Sequence, residues 1–174
     1  MTNDKMLSEH FSLREMTKTQ YVTKDGNIPS KEVIENLRNL CENWLEDLRY
    51  SYNTLYSRVI SSEVEKSCEI SPCAALSRDD TPPLIINSGY RSPEVNKRAG
   101  GAATSNHVTG CAVDIHVTGF EQAVRYASIL LDISEGTKQD YDELFIERNK
   151  AGSHWIHFAV RPKGNRRKSG FIQT

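Results

Sequence analysis

Long hydrophobic runs are missing from this chain of 174 residues. Leu84-Ile85-Ile86 is typical of its apolar stretches, whereas roughly 20 consecutive apolar residues are needed to cross a bilayer. An excess of charge of one sign is missing too. Lys and Arg number 22 against 23 Asp and Glu, a formal net charge of −1, so no global field draws the chain to nucleic acid or to a membrane surface. The first residues, Met1 to His10, lack the apolar stretch of a secretory signal. The expectation is a protein that is cytoplasmic at synthesis, unless its export is signal-independent. Cysteine is scarce: four residues, Cys41, Cys68, Cys73 and Cys111, which a reducing compartment keeps as thiols. Cys41 lies on an apolar helix face and reads as a small core residue. Cys68 and Cys73 form an isolated Cys-x4-Cys, too weak a signal for a second metal site. Repeats and low-complexity segments are absent.

What is present fits one domain spanning residues 1–174, long enough to bury a real core, and the expectation is a monomer. Ser30 can cap a helix from about Lys31 to Arg49. Along it Val33, Ile34, Leu37, Leu40, Cys41, Trp44, Leu45 and Leu48 recur at three- and four-residue steps, one continuous apolar face. Tyr50 to Lys66 either extends that helix or forms a second one, and Asp79-Asp80-Thr81-Pro82-Pro83 breaks the chain. Leu84 to Asn87 reads as a buried strand. Ser92 caps a short helix with Pro93 at its first position and Gly100-Gly101 at its end. From Cys111 to Val117, Ala112, Asp114 and His116 alternate with Val113, Ile115 and Val117, so the apolar set packs inward and the polar set opens on a cleft. Phe120 to Leu131 is amphipathic, with Val124, Ala127, Leu130 and Leu131 expected inward. Glu143–Arg148 and His154–Val160 read as a hairpin. The basic stretch in 161–174 reads as a solvated end. Together these elements predict an α+β domain with a small, largely antiparallel sheet flanked by helices.

The segment with most chemistry is Ser105-Asn-His107-Val-Thr-Gly110-Cys-Ala112-Val-Asp114, with His154-Trp-Ile-His157 some forty positions later. Imidazole and carboxylate donors suit a catalytic zinc, which takes three protein ligands and leaves a fourth position to water. In one helix His107 and Asp114 would stand about 10 Å apart along the axis; in one straight strand, about 23 Å. Neither shares a metal, so a turn must fold His107 back, and Gly110 accepts the positive φ such a turn needs. A His or Asp near a turn is equally often just solvated, and spacing alone leaves both readings open.

Ser-x-His-x-x-Gly-x-Ala-x-Asp with a later Trp-x-His resembles the zinc peptidases of bacterial cell-wall peptides. These are the D-alanyl-D-alanine carboxypeptidases, the D-Ala-D-Ala dipeptidases and the L-alanyl-D-glutamate endolysins, which share a fold with the hedgehog signalling domain. Ser88-Gly-Tyr90-Arg91-Ser, Asn96 and Gly100-Gly101 also resemble the segment before the family's first ligand. The likeness runs over about 84–160, with a vaguer one from Phe11 to Arg49. Relatives connect these parts more briefly, so about 50–82 looks like an insertion.

The resemblance implies one zinc per chain on His107, Asp114 and His157, and a peptidoglycan stem peptide or other D-Ala-containing peptide as substrate. It implies His154, three residues before the last ligand, as the general base. In a regular strand those two positions face opposite ways, so His154 is expected in the entering turn or on a bulge. It implies Arg91 as the group that stabilises the oxyanion. Ser105 either binds substrate or caps the turn. Glu147 either orients an imidazole or makes a surface ion pair. His116 reads as an outer neighbour of the site or as solvent-facing. Carboxypeptidase and endopeptidase remain undivided, and a non-catalytic zinc-binding recognition module of the same fold is the alternative.

Overall fold

The computed structural model describes residues 5–24, 26–65 and 83–174. Cys68, Cys73, the Asp79–Pro82 breaker and the greater part of the expected insertion lie outside them.

Ser12 accepts a hydrogen bond from the Glu15 amide and caps a single turn, α1 (Leu13–Met16). Ser30 does the same for α2 (Lys31–Leu40) through the Val33 amide, satisfying a donor that every helix start leaves orphaned. The helix does not stop at Arg49. One wide turn, Cys41–Leu45, carries it into α3 (Glu46–Glu65). Across this junction Leu37, Leu40, Cys41, Trp44, Leu45 and Leu48 are all fully buried, so the expected apolar stripe is the core-facing side of one long rod.

The sheet has five strands in the order β1-β2-β4-β3-β5. β1 (Ile86–Ser88) is followed by α4 (Pro93–Arg98), which Ser92 caps through the Val95 amide. β2 (Ala112–His116) leads into α5 (Phe120–Thr137), then β3 (Glu143–Arg148), β4 (His154–Ala159) and β5 (Lys168–Gln173). All pairings are antiparallel except β3 with β5. The fold is α+β with a mostly antiparallel sheet, as the element pattern predicts.

Register assigns each residue to a face. Asp114 pairs with His157 and His157 with Phe145; Ile115 pairs with Ile156 and Ile156 with Ile146. Directly paired residues share a face and neighbours along a strand alternate. One face therefore carries Val113, Ile115, Ile156, Phe158 and Leu144, which form a core with α2, α3 and α5. The Trp44 and Phe158 rings lie 5.0 Å apart at its centre. The other face carries Ala112, Asp114, His116, Trp155, His157, Glu143, Phe145 and Glu147. Between Ile86 and Ser88 the register of β1 against β2 shifts, so Ile86 pairs with Ile115 but Ser88 with Asp114. Such an irregularity re-aims a side chain, here turning Ser88 from the helix side to the Asp114 side.

Two expectations are corrected. On α5 the buried residues are Ala123, Tyr126, Ile129, Leu130 and Ser134; Leu130 is inward as expected, whereas Val124 and Leu131 are 44% and 38% exposed. The helix is turned toward Tyr126, whose hydroxyl is satisfied by Gln122 and whose ring meets Tyr52 edge-on. A count of aliphatic side chains overlooks that. The basic tail is exposed along most of its length, as a solvated end would be, but it is not free. It forms β5, and Arg166 and Arg167 bond back to Asp142, Glu143, Asp140 and Glu135.

Candidate metal centre

The turn that sequence spacing demands is present. Val108 donates its amide to the Ser105 carbonyl, Gly110 to that of His107, and Cys111 to that of Asn106. Gly110 sits at φ +70°, where a Cβ would come within 2.8 Å of the Val33 backbone oxygen, so no other residue fits without moving α2. Ser105 Oγ accepts the His107 amide at 3.3 Å; of its two readings, the structure displays the cap.

This turn delivers His107, which is 2% exposed, against Asp114 of β2 and His157 of β4. His107 Nε2 lies 3.2 Å and His157 Nδ1 3.0 Å from the same oxygen, Asp114 Oδ1. One donor atom from each residue falls within 4.8 Å of the others. Around a tetrahedral zinc with bonds near 2.0–2.1 Å, donors stand about 3.3–3.5 Å apart, so the two imidazole–carboxylate separations are slightly shorter than those of a ligand pair.

The outer nitrogens fix what the inner ones offer. His107 Nδ1 is 2.6 Å from the Gly89 carbonyl, an acceptor only, so it carries the proton. His157 Nε2 lies 3.4 Å from Glu143 Oε2, a carboxylate at neutral pH, and is protonated likewise. In the neutral rings both inner nitrogens then present lone pairs to an anionic oxygen. Three lone pairs meeting in a buried space require a cation or extra protons. Burial opposes charge on His157, but hydrogen bonds to Asp114 and Glu143 raise its pKa to about 9. Burial also opposes ionisation of Asp114, yet the charge on His107 and the hydrogen bonds from both rings hold it well below the usual carboxylate range. The donor set, two imidazoles and a carboxylate in this arrangement, fits zinc.

Arg91 stands at the centre's edge. Its Nε donates to Ser88 Oγ at 2.8 Å and its Nη2 to Asp114 Oδ2. Nη1 has no protein acceptor among the described residues. The Arg91 amide donates to the His107 carbonyl, so the arginine is tied to the ligand turn by backbone and side chain alike.

His154 is not where its expected role needs it. β4 pairs with β3 without a bulge from His154 opposite Arg148 to Ala159 opposite Glu143. His154 therefore shares the helix face with Ile156 and Phe158, and His157 points the other way. Its ring lies 5.7 Å from that of Phe120, beside a groove of about 690 Å³ lined by Phe120, Leu131, Ile146, Arg148 and Phe171. The reading of His154 as general base is corrected on this ground: the sheet stands between it and Asp114. Glu147 does share the ligand face, opposite Trp155. Burial raises its pKa and the charge on Asp114 adds to this, while His157 and His107 pull the other way. The carboxylate on the outer nitrogen of His157 is Glu143, not Glu147. Alternation of Glu143, Phe145 and Glu147 with Leu144 and Ile146 was the available signal for it. His116 is exposed, on the same face, outside the cluster.

A family model described as Peptidase M15 matches residues 9–144. The chain belongs to this family of zinc-dependent peptidases. A search of curated proteins finds no match. The matched span holds Arg91, His107 and Asp114 but ends at Leu144. His157 joins them through the register of β4 on β2.

Proposed function

We propose that the chain hydrolyses D,D- or L,D-peptide bonds in the stem peptides of bacterial peptidoglycan, with Glu147 rather than His154 as the proton acceptor. The observation that carries the reading is the convergence of His107 Nε2 and His157 Nδ1 on Asp114 Oδ1, with both rings held by acceptors on their far side. His107, Asp114 and His157 would hold a zinc, and the chemistry it would supply there is Lewis acidity, which lowers the pKa of a water to about 7 and polarises a peptide carbonyl. Glu147 takes the proton of the attacking water and returns it to the leaving amine nitrogen. A carboxyl whose pKa is raised toward the working pH is suited to both steps. As the carbonyl carbon becomes tetrahedral, the free Nη1 of Arg91 donates to the oxygen that gains charge, a contribution on the order of 3 kcal/mol for a fixed donor. Ser88 and Asp114 keep that guanidinium from swinging away. Support for the substrate class comes from the family and from the likeness of the Ser88–Ser92 and Ser105–Asp114 segments to cell-wall peptidases.

The test is digestion of purified peptidoglycan by the zinc-loaded protein, with the released termini identified by mass spectrometry. A carboxypeptidase is expected to release free D-Ala, whereas an endopeptidase leaves a new D-Ala or L-Ala carboxyl terminus on one fragment and a new amino terminus on the other, and these products divide the two. Zinc-loaded protein that releases neither sinks the reading in favour of a recognition module.

A further inference from the structure

The C-terminal strand brings a cation to the back of the metal centre. Glu143 Oε2 lies 3.4 Å from His157 Nε2 and accepts Asn106 Nδ2 at 3.0 Å. Its other oxygen, Oε1, accepts Arg166 Nη2 at 2.7 Å. Three groups from three parts of the chain thus hold one carboxylate. Asn106 precedes the ligand His107, His157 is itself a ligand, and Arg166 leads into β5. Arg166 is in turn fixed by Asp142, which is fully buried and accepts both its Nε at 2.7 Å and its Nη2 at 2.5 Å. Asp142 Oδ2 also accepts Asn106 Nδ2 at 2.8 Å. Asp142 therefore has a buried, multiply bonded position from which Arg166 and Asn106 are both aimed at Glu143.

Resting on the reading of His107, Asp114 and His157 as a zinc site, we infer that Arg166 is a positioning residue for that site. It holds Glu143 against His157 Nε2, and by fixing the ring it sets how tightly the centre keeps its metal. The physical reason is that a ligating imidazole needs its far N–H satisfied to keep its orientation and basicity, and loss of such an outer partner typically weakens metal affinity about 10–100-fold. Without Arg166, Glu143 would keep only Asn106 and His157, and its free oxygen would draw the side chain toward water. A lysine could still neutralise Asp142 but lacks the planar fork that spans two carboxylates. Arg167 supplies the control. It pins the same strand, through Asp140, Glu135 and Ser134, and touches neither Glu143 nor a ligand.

The experiment is zinc affinity by chelator competition on the full chain, with the visible spectrum of the cobalt-substituted protein as a second readout. Arg166→Ala is expected to bind zinc about 10–100-fold more weakly than wild type and to shift the cobalt spectrum. Arg166→Lys should fall between. Glu143→Gln should weaken binding by a similar factor, and adding Arg166→Ala to it should cost little more, because both act through one contact. Arg167→Ala should lower the unfolding midpoint and leave zinc affinity within about twofold. If Arg166→Ala does not fold, Arg166→Lys and Glu143→Gln decide. Wild-type zinc affinity in the Arg166 variants, or an equal loss in Arg167→Ala, overturns the inference. A wild-type protein that binds zinc but cleaves no stem peptide would remove the proposed reaction and leave this inference standing; one that binds no zinc removes both.

Discussion

The two faces of the sheet use the same strands for opposite purposes. On β4, Ile156 and Phe158 are sealed against the helices, whereas His157, one residue away, faces Asp114. On β3, Leu144 is buried in the core, whereas Glu143 and Glu147 lie beside the cluster of His107, Asp114 and His157. Apolar burial on one side anchors the backbone, and each polar side chain on the other takes its place from that register. A one-residue slip would exchange the two sets. In this sheet, membership of a face decides what a residue can do. His154 has the right chemistry for proton transfer and the wrong parity.

The largest effect should come from the ligands themselves. His107→Ala or Asp114→Ala should abolish zinc binding and bring hydrolysis to background, measured by elemental analysis and by release of amino groups from a muramyl pentapeptide. Full zinc occupancy in either variant would break the assignment of this face as the metal face. Next comes the contrast between Glu147 and His154. Glu147→Gln should retain zinc and lose about a hundredfold or more in turnover, the scale of a general acid–base residue. His154→Ala should retain both zinc and turnover to within a few-fold. The reverse pattern would mean that the register of β4 on β3 differs in solution.

Much of this was readable beforehand, for reasons that residues make plain. The alternation of Val113, Ile115 and Val117 with Ala112, Asp114 and His116 needs only a period of two, and the turn at Gly110 follows from the reach of a chain. Ser30 and Ser92 announce their helices through caps that act locally. What could not be read depends on pairing between distant strands. No local signal shows that β4 enters its ladder without a bulge, which is what turns His154 away. Nor does composition show that Arg166 and Arg167 find Asp142 and Asp140 across the fold rather than water. Glu143 stands between the two cases: the hairpin and the alternation of β3 put it on the ligand face, but its approach to His157 depends on the register of β3 on β4.

A third test addresses the helix face alone. Trp44 is fully buried beside Phe158, and truncating a buried aromatic residue of this size typically costs about 3–5 kcal/mol. Trp44→Ala should therefore lower the denaturation midpoint sharply. Below that midpoint the folded fraction should bind zinc as wild type does, because no ligand touches Trp44. A parallel loss of zinc affinity in folded protein would show that the two faces are mechanically coupled rather than merely back to back.

The smallest effect sits where the faces meet, at Asp142, one residue before Glu143. Burial works against its charge, but hydrogen bonds from Arg166 and Asn106 and the nearby Arg166 and Arg161 charges bring its pKa down to about 2. A carboxyl whose folded pKa lies below its unfolded value, near 3.9, stabilises the fold at pH above the unfolded value. That contribution drains away as pH falls through about 4 toward about 2. Arg166 is exposed, and water screening holds the contribution to roughly 1–2 kcal/mol. Urea titrations of metal-free protein should show stability falling over that window. In Asp142→Asn the fall should be shallower by that amount, and the variant should be less stable than wild type at pH 7. Identical slopes for the two proteins would mean that Asp142 keeps an ordinary pKa, and that Arg166 is held to the sheet by its strand rather than by its charge.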